Sequence, residues 1–329
     1  MNTGRRRGVA LLTVLLLVAA MSALAVGLLD DIRISLRRTK ALREVDQARW
    51  YALGAEALAR VRIAQLQALT PGRTTLAGDW EGRTFRFPIE EEGLLEVRIE
   101  DGSNCFNLNS LILRDPESEA YLRNDLARLE LVALLRALEV SGLEAERIAA
   151  TAADWIDPDQ RAEANGAEDD AYTALERPYR TADGPMAEVS ELRAVSGVTP
   201  ALYRRLRPYL CALPDFNLAP INVNTLRLED APLVSMLTLG AVAPNQARSV
   251  IGARPAGGWE SVLLFWQAPQ LVAAEPPAPV LQQTRLETRF FALESHVVLG
   301  GADIVMTAQL EALSSGKLRV RARRWTADE

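Results

Sequence analysis

Hydrophobic residues near the start of the chain form one uninterrupted apolar run. Val9 to Leu29 is 21 residues long and carries no charge; three arginines at positions 5–7 precede it and two aspartates follow it. A helix of about 20 apolar residues crosses the roughly 30 Å hydrocarbon core of a bilayer, and the arginines favour a cytoplasmic amino terminus. The pattern predicts a single-pass anchor at 9–29, with a secretory signal cleaved after Ala25 as the alternative.

The helical pattern continues beyond the apolar run without a proline or a cluster of turn residues. Small and apolar residues recur at steps of three and four and therefore share one stripe of a helix: Leu42, Val45, Ala48, Ala52, Ala55, Ala59, Ile63 and Leu66. A Thr-Pro-Gly sequence at 70–72 ends the pattern. We predict one helix from Val9 to Leu69, about 90 Å long, with 9–29 in lipid and 30–70 outside it. This continuity argues against a cleaved signal.

Alternating patterns predict five strands in two groups. Two strands, 84–89 and 94–99, follow the helix and are separated by an acidic turn, and three strands, 289–299, 303–312 and 317–325, end the chain. From 111 to about 271 the period is helical. The predicted class is α+β: the long helix packs on an antiparallel sheet formed by residues 71–110 and 280–329, and residues 111–279 are an inserted all-helical domain.

Three helix–tight turn–helix units are recognisable within the insertion. Each has a glycine at which a helix can end in the left-handed conformation; the turns are 138–143, 194–200 and 239–244. The third unit resembles the helix-hairpin-helix and sterile-alpha-motif-like arrangement of several nucleic-acid modules. A membrane-anchored DNA-binding protein is therefore an alternative function. We nevertheless expect no nucleic-acid partner, because this hairpin offers a phosphate only Asn245, Arg248 and Arg254.

The charge of the chain is concentrated in one segment. There are 37 Lys and Arg against 43 Asp and Glu, a net charge of −6 that disfavours nucleic-acid binding. Residues 154–170 contain seven acids and one base and account for an equal net charge. Crowded carboxylates repel one another unless they are solvated or bridged by a cation, and Ca²⁺ takes six to eight oxygen ligands. The spacing does not match an EF-hand, so a calcium site and a solvated acidic loop both remain open.

The amino-terminal residues resemble those of type IV pilins and pseudopilins, in which a short basic leader ends in Gly and an apolar helix follows directly. The resemblance implies that a prepilin peptidase removes residues 1–8 by cutting between Gly8 and Val9, and methylates the new amine. Members usually carry Glu as the fifth residue after the cut, where it neutralises the amine of the subunit ahead. This chain has Thr13, which suits a subunit with nothing ahead of it. An ordinary single-pass anchor is the alternative.

Further motifs are similar to those of one minor pseudopilin family, general secretion pathway protein K of type II secretion systems. They are DW-x-D-x-D at 154–159, GAED-x-x-Y at 166–172, FNLN at 106–109 and NVNT at 222–225. The family's acidic segment is associated with calcium, and the implied ligands are Asp154, Asp157, Asp159, Glu168, Asp169 and Asp170. The asparagines of FNLN and NVNT are predicted to be structural, because their side chains can cap helices and satisfy loop backbone.

The same resemblance implies a non-enzymatic subunit at the tip of the pseudopilus. It would lie in the bacterial inner membrane with its carboxy-terminal domain in the periplasm. Implied partners are the other minor pseudopilins with which it starts assembly, the major pseudopilin, the prepilin peptidase and the inner membrane. A periplasmic enzyme remains an alternative class, although the sequence has no nucleophile elbow, phosphate loop or dinucleotide fingerprint, and its single histidine, His296, lies in a predicted strand.

The two cysteines, Cys105 and Cys211, border the junctions between the sheet and the insertion. In an oxidising periplasm they would form a disulfide that closes a loop of about 106 residues; two buried free thiols are the alternative. The large aromatic residues of the long helix and the insertion are predicted to lie in the core: Trp50, Tyr51, Trp155, Trp259 and Trp266.

Overall fold

A computed structural model describes residues 3–89, 93–115, 117 and 120–327, with side chains from residue 11 onward. The turn predicted at 90–92 lies outside these residues. In chain order the helices are α1 (Thr3–Leu69), α2 (Asp125–Ala137), α3 (Gly142–Ile156), α4 (Asp169–Thr173), α5 (Pro200–Leu206), α6 (Ala231–Leu237), α7 (Pro244–Gly252), α8 (Val262–Trp266) and α9 (Ala278–Gln283). The strands are β1 (Thr84–Ile89), β2 (Gly93–Asp101), β3 (Phe106–Asn107), β4 (Ile112–Arg114), β5 (Tyr121–Arg123), β6 (Leu210–Cys211), β7 (Ile221–Asn222), β8 (Thr284–Arg285), β9 (Phe290–Leu299), β10 (Ala302–Ala312) and β11 (Leu318–Arg324).

The long helix and the sheet confirm the predicted α+β class. Helix α1 is unbroken for 67 residues, or about 100 Å, and Gly8 and Val9 lie within its backbone. Five antiparallel strands form one sheet in the order β1-β2-β9-β10-β11. Their bounds match the five predicted strands within two residues, because each strand alternates apolar and polar side chains and so has one face to bury.

One face of the sheet packs on the predicted stripe of α1. Its alanines and larger residues from position 48 onward are buried: Ala48, Ala52, Ala55, Ala59, Ile63 and Leu66. Alanine at four successive contact positions lets the helix axis approach the sheet closely. Trp80, which is fully buried, extends this core by packing on Phe291 with ring centroids 5.7 Å apart.

Leu42, the first residue of the predicted stripe, lies beyond the sheet and is 66% exposed. The sheet ends at the β9–β10 hairpin, which lies beside residue 44: there the Gly301 N–H donates to Glu44 Oε2 at 3.0 Å. The prediction that Trp50 lies in the core is wrong. Trp50 is 73% exposed. It follows Ala48 by two residues and therefore points away from the sheet, about 160° from the sheet-facing direction of Ala48.

The insertion leaves the sheet at the end opposite to the apolar part of α1. The β9–β10 hairpin lies beside Glu44, which marks the sheet end nearer the apolar run. Strand β2 runs away from that end and stops at Asp101, and β9 begins beside it, with Asp101 paired to Phe291. The chain between these points is the insertion. It therefore starts and ends about ten residues outside the predicted limits of 111 and 279.

The insertion has its own hydrophobic core, formed mainly by α2, α3, α5, α6 and α7. It also contains three two-stranded pairings, β3–β6, β4–β5 and β7–β8, which an all-helical prediction missed because strands of two or three residues show no alternation. The three predicted helix turns are present. In the first, Glu139 adopts the left-handed conformation, with φ 63°, whereas Gly142 is the first residue of α3; in the third, Gly240 has φ 84° as predicted.

Candidate metal centre

Three carboxylates of the acidic segment meet at the end of helix α3. Asp154 lies in the last turn of α3, Asp157 follows that helix directly, and Glu168 precedes α4. Each offers an oxygen, and these oxygens lie within 4.8 Å of one another. The helix ends here because Asp157 is extended, with φ −73° and ψ 153°, and Pro158 disfavours the helical conformation at the residue before it. The loop then folds back over the helix end.

The returning loop is held against Asp154. The backbone N–H of Glu163 donates to both carboxylate oxygens of Asp154, at 3.2 Å each. Asn165 has φ 70°, a conformation that asparagine tolerates better than most residues. Gly166 has no room for a side chain, because a Cβ there would overlap the Asp154 carboxylate. The Asn-Gly pair therefore closes the loop and brings Glu168 back to the helix end.

The three carboxylates are crowded and poorly compensated. Asp154 is fully buried and Glu168 is 6% exposed. Both oxygens of Glu168 and Oδ1 of Asp157 accept no hydrogen bond from a described residue. Burial, followed by repulsion from neighbouring carboxylates, raises the pKa of Asp157 to about 7 and that of Glu168 to about 8. Burial likewise raises the pKa of Asp154 to about 6, although backbone N–H donors oppose the shift.

The remaining predicted ligands are placed differently. Asp159 is exposed, and its charge contributes to the raised pKa of Asp157. Asp169 faces another segment: its Oδ1 accepts hydrogen bonds from the N–H and the hydroxyl of Thr181 at 3.0 and 2.9 Å. Asp170 is exposed in the first turn of α4. The structure thus brings together Asp154, Asp157 and Glu168, and does not add Asp169 or Asp170 to that group.

Asp183 is a neighbour that sequence reasoning missed. Its charge raises the pKa of Glu168, and its Oδ1 accepts a hydrogen bond from Thr181 at 2.6 Å. It precedes Gly184 and Pro185, a sequence that signals a turn and carries no ligand signature. Only the packing of the 181–185 loop brings it near the centre.

The donor set fits a hard divalent cation. All three groups are carboxylates, and three of their oxygens are without a hydrogen-bond donor in the described part of the chain. Unpaired buried carboxylates are costly, so such a group either takes up protons or binds a cation. Oxygen ligands on a loop that follows a helix suit Ca²⁺, which accepts irregular geometry.

The root of the insertion is held by a disulfide and by four buried asparagines. Cys105 and Cys211 are bonded, with Cα atoms 5.7 Å apart, beside the parallel pairing of β3 and β6. Asn107 donates to the carbonyls of Asp215 and Asn217, both at 2.9 Å. Similar bonds link the other three asparagines to distant loops: Asn109, Asn222 and Asn224. Their predicted structural role is confirmed.

The third helix turn of the insertion is engaged within the protein. Arg254 donates through Nη1 to the carbonyl of Leu226 at 2.6 Å, and burial lowers its pKa. Arg254 therefore binds the backbone of its own chain and is not available to a phosphate. Asn245 and Arg248 remain exposed, and two such groups make a weak phosphate site.

These features define a class of protein. Helix α1 includes an apolar stretch of mean hydropathy 2.6, unburied and long enough to cross a membrane. Its outer part packs on an antiparallel sheet, and an insertion with its own core and an acidic centre rises from the far end of that sheet. The class is a helix-on-sheet protein with a helical insertion, whose amino-terminal helix has the length and composition of a membrane anchor.

Comparisons with known proteins place the chain within that class. Two family models, both described as "Type II secretion system (T2SS), protein K", match residues 104–215 and 221–286. Type II secretion system protein K of Pectobacterium carotovorum subsp. carotovorum is 36% identical over 321 residues, covering 98% of this chain and 97% of its own. The Klebsiella pneumoniae protein is 37% identical over 331 residues, covering 99% of each. The chain belongs to the type II secretion system protein K family.

A solved structure shows the same fold. The protein matched lies in the crystal structure of the GspK-GspI-GspJ complex from the enterotoxigenic Escherichia coli type 2 secretion system. Its TM-score is 0.74 at 30% sequence identity, and the match covers 88% of this chain and 99% of that one. The family resemblance inferred from the sequence motifs is therefore confirmed.

Proposed function

We propose that this protein is a non-enzymatic subunit at the tip of the type II secretion pseudopilus, where it starts assembly with other minor pseudopilins. It would be anchored in the bacterial inner membrane, with its amino terminus in the cytoplasm and its head in the periplasm. A prepilin peptidase would cut between Gly8 and Val9 before assembly. The major pseudopilin would add below it, and the filament would support export of folded proteins.

The position of the insertion carries this proposal. The insertion arises between Asp101 and Phe290, at the sheet end far from the membrane span. A filament of subunits with parallel long helices grows from the membrane, so a subunit ahead of this one would approach that same end. Residues 104–286, the matched family region, stand in its way. Thr13 in place of the usual acid supports the same end position, because no subunit ahead supplies an amine to neutralise.

An exposed face of α1 is the surface we propose for the partner subunits. Four large apolar residues in the part of α1 that packs on the sheet, Trp50, Leu58, Val61 and Leu69, are 55–73% exposed. They lie within about 100° of arc on the helix, on a side that the sheet does not cover. We call them the exposed helix face. A one-sided apolar stripe on a helix is typical of a surface that a partner covers. The related chain was solved in a complex with GspI and GspJ, so we propose the corresponding subunits as the partners.

A double substitution tests the exposed helix face. Trp50→Ala with Val61→Asp is expected to reduce co-purification of the full-length protein with the two partner pseudopilins of its own system at least about tenfold, because a central Trp commonly dominates such interfaces. Pseudopili should become correspondingly rare. In cells with the unaltered protein, gold-labelled antibody should mark one end of each sheared pseudopilus.

The matched control for this test is Leu263→Asp. Leu263 is 65% exposed on α8 of the insertion. The substitution therefore removes exposed apolar surface outside the exposed helix face, and co-purification should be unchanged. Equal losses in the two proteins would contradict the proposed interface. Label distributed along the filament would contradict the tip position while leaving the interface intact.

We also propose that the acidic centre binds Ca²⁺ through Asp154, Asp157 and Glu168. The unpaired oxygens of Glu168 and Asp157 support this assignment. Asp159 and Asp183 lie close enough to affect the charge of the centre. Binding would fix the loop of residues 157–168 on the end of α3 and so serve the stability of the insertion.

A further inference from the structure

A group of basic residues surrounds α1 just beyond its apolar run. We call Arg33, Arg37, Arg38, Lys40 and Arg43 the basic collar; all five are exposed. Two acids, at 30 and 31, share the segment 30–43, which leaves a net charge of +3. Basic residues usually accumulate on the cytoplasmic side of a span. Here the leader already supplies that signal, so the collar at the other end of the span calls for its own explanation.

The collar lies at the height of the lipid headgroups and just above them. At 1.5 Å per residue, Arg33 is about 6 Å, Arg38 about 14 Å and Arg43 about 21 Å beyond the last apolar residue, Leu29. The headgroup layer is roughly 5–8 Å thick on each side of the hydrocarbon core. Arg33 is therefore within this layer, and the long side chains of Arg37 and Arg38 can reach back to it.

The bases point in several directions around the helix. At 100° per residue the collar covers about 220° of the circumference, whereas the exposed helix face covers less than half of that. A partner helix contacts one side, but a lipid surface surrounds the helix at a given height. The distribution of the collar therefore matches a lipid environment.

Few protein groups neutralise the collar. Arg33 pairs with Asp30 at 3.7 Å and Lys40 with Glu44 at 3.6 Å, and both bases of these pairs are more than 70% exposed. Within the part of the chain that the structure describes, Arg37, Arg38 and Arg43 have no ion-pair partner. Interleaved with the lower bases are Ile32, Ile34 and Leu36, which are 47–64% exposed. Apolar and basic side chains at one height are typical of a helix segment at a membrane interface.

We propose that the basic collar binds the phosphate groups of anionic phospholipids in the leaflet from which α1 emerges. Guanidinium groups match phosphate oxygens in charge and geometry. The bound lipids hold α1 at a defined depth in the bilayer until the subunit joins a filament. This inference rests on the membrane anchor included in the proposed function, and it does not depend on the tip position.

Spin-labelled lipids test the collar with the full-length protein in bilayers. The protein is reconstituted in phosphatidylcholine with a small amount of spin-labelled phosphatidylglycerol or phosphatidylcholine, and electron paramagnetic resonance measures the fraction of each lipid bound to the protein. Since a base at an anionic surface favours binding by about fivefold, we expect at least a roughly threefold preference for phosphatidylglycerol. High salt should abolish it.

Arg33→Gln, Arg37→Gln and Arg38→Gln in one chain should remove the preference. The matched control, Arg204→Gln, Arg205→Gln and Arg248→Gln, changes the same charge on exposed residues of the insertion and should keep it. A preference that persists in the collar variant overturns the proposal. A second outcome also overturns it: the collar variant binds both lipids as the unaltered protein does but no longer binds its partner subunits. The collar would then form ion pairs with acidic residues of a neighbouring subunit. Failure of the unaltered protein to enter bilayers would instead overturn the anchor.

Discussion

Adding Ca²⁺ to chelator-treated protein should raise its melting temperature by about 5–10 °C. A ligand at 100 times its dissociation constant stabilises the folded state by about 2.7 kcal/mol, and 1 kcal/mol shifts the melting temperature of a domain of this size by about 2–4 °C. The physical source is the relief of repulsion among Asp154, Asp157 and Glu168, whose oxygens converge within 4.8 Å. Differential scanning calorimetry with and without millimolar Ca²⁺ measures the shift.

Two paired variants locate the ligands. Asp157→Asn with Glu168→Gln should abolish the calcium-dependent shift, because both residues contribute oxygens without hydrogen-bond donors. Asp169→Asn with Asp170→Asn should keep it, although this variant loses some stability in either condition because Asp169 accepts two hydrogen bonds from Thr181. If the Asp169–Asp170 variant lost the calcium-dependent shift and the Asp157–Glu168 variant kept it, the ligands would be Asp169 and Asp170. If the unaltered protein showed no shift, there would be no calcium site.

The centre also predicts how pH acts without calcium. Folding raises the pKa of Asp157 to about 7 and of Glu168 to about 8, above the ordinary carboxyl range of about 4. The folded state therefore holds protons that the unfolded state has released, and stability falls as pH rises from about 4 to 8. In chelator, the melting temperature should decrease across this window, less so in Asp157→Asn with Glu168→Gln. Calcium competes with those protons, so the concentration needed for half the shift should be lower at pH 8 than at pH 6.

Removing the disulfide with Cys105→Ala and Cys211→Ala should destabilise the insertion by several kcal/mol. The bond joins residues 106 positions apart, and closing a loop of about 100 residues is worth about 4.7 kcal/mol in the chain-entropy description. The corresponding fall in melting temperature is about 10 °C or more. Urea titration and calorimetry measure it on the full-length protein.

Reductant provides the control for this substitution. The unaltered protein in strong reductant should lose nearly as much stability as the double variant, whereas the variant itself should not respond to reductant. Cys105 is only 5% exposed, so the alanine protein has a small additional packing loss. Two alkylated thiols in protein that was never reduced would contradict the bond.

Local pattern predicted the framework of this fold well. The apolar run, the stripe from Ala48 to Leu66 and the five alternating strands each follow from side chains that repeat with the period of their own element. The sequence motifs also pointed to the family that the comparisons confirm. Where periodicity is absent, as in the two-residue strands β3 and β6, sequence reasoning failed, because those pairings depend on segments about 100 residues apart.

At the candidate site, too, the sequence predicted part of the arrangement and the packing of distant segments decided the rest. Sequence identified the acidic segment and all three residues that converge, since their number in a short stretch is unusual. It did not separate them from Asp169, whose side chain is directed to Thr181 by the path of a later loop, and it missed Asp183 for the same reason. Trp50 was assigned to the core by its residue type, whereas its angle on α1 relative to the sheet leaves it exposed.

The sequence by itself determined which residues form the apolar run, the long helix and the strands, because those depend on composition and on periods of two and 3.6 residues. It also determined where negative charge accumulates. Tertiary structure alone decided which acids meet, which face of α1 stays uncovered and which end of the sheet carries the insertion. These outcomes depend on how distant segments fold back on one another, and the energy of an interaction between two side chains is set by the distance and burial that this folding produces.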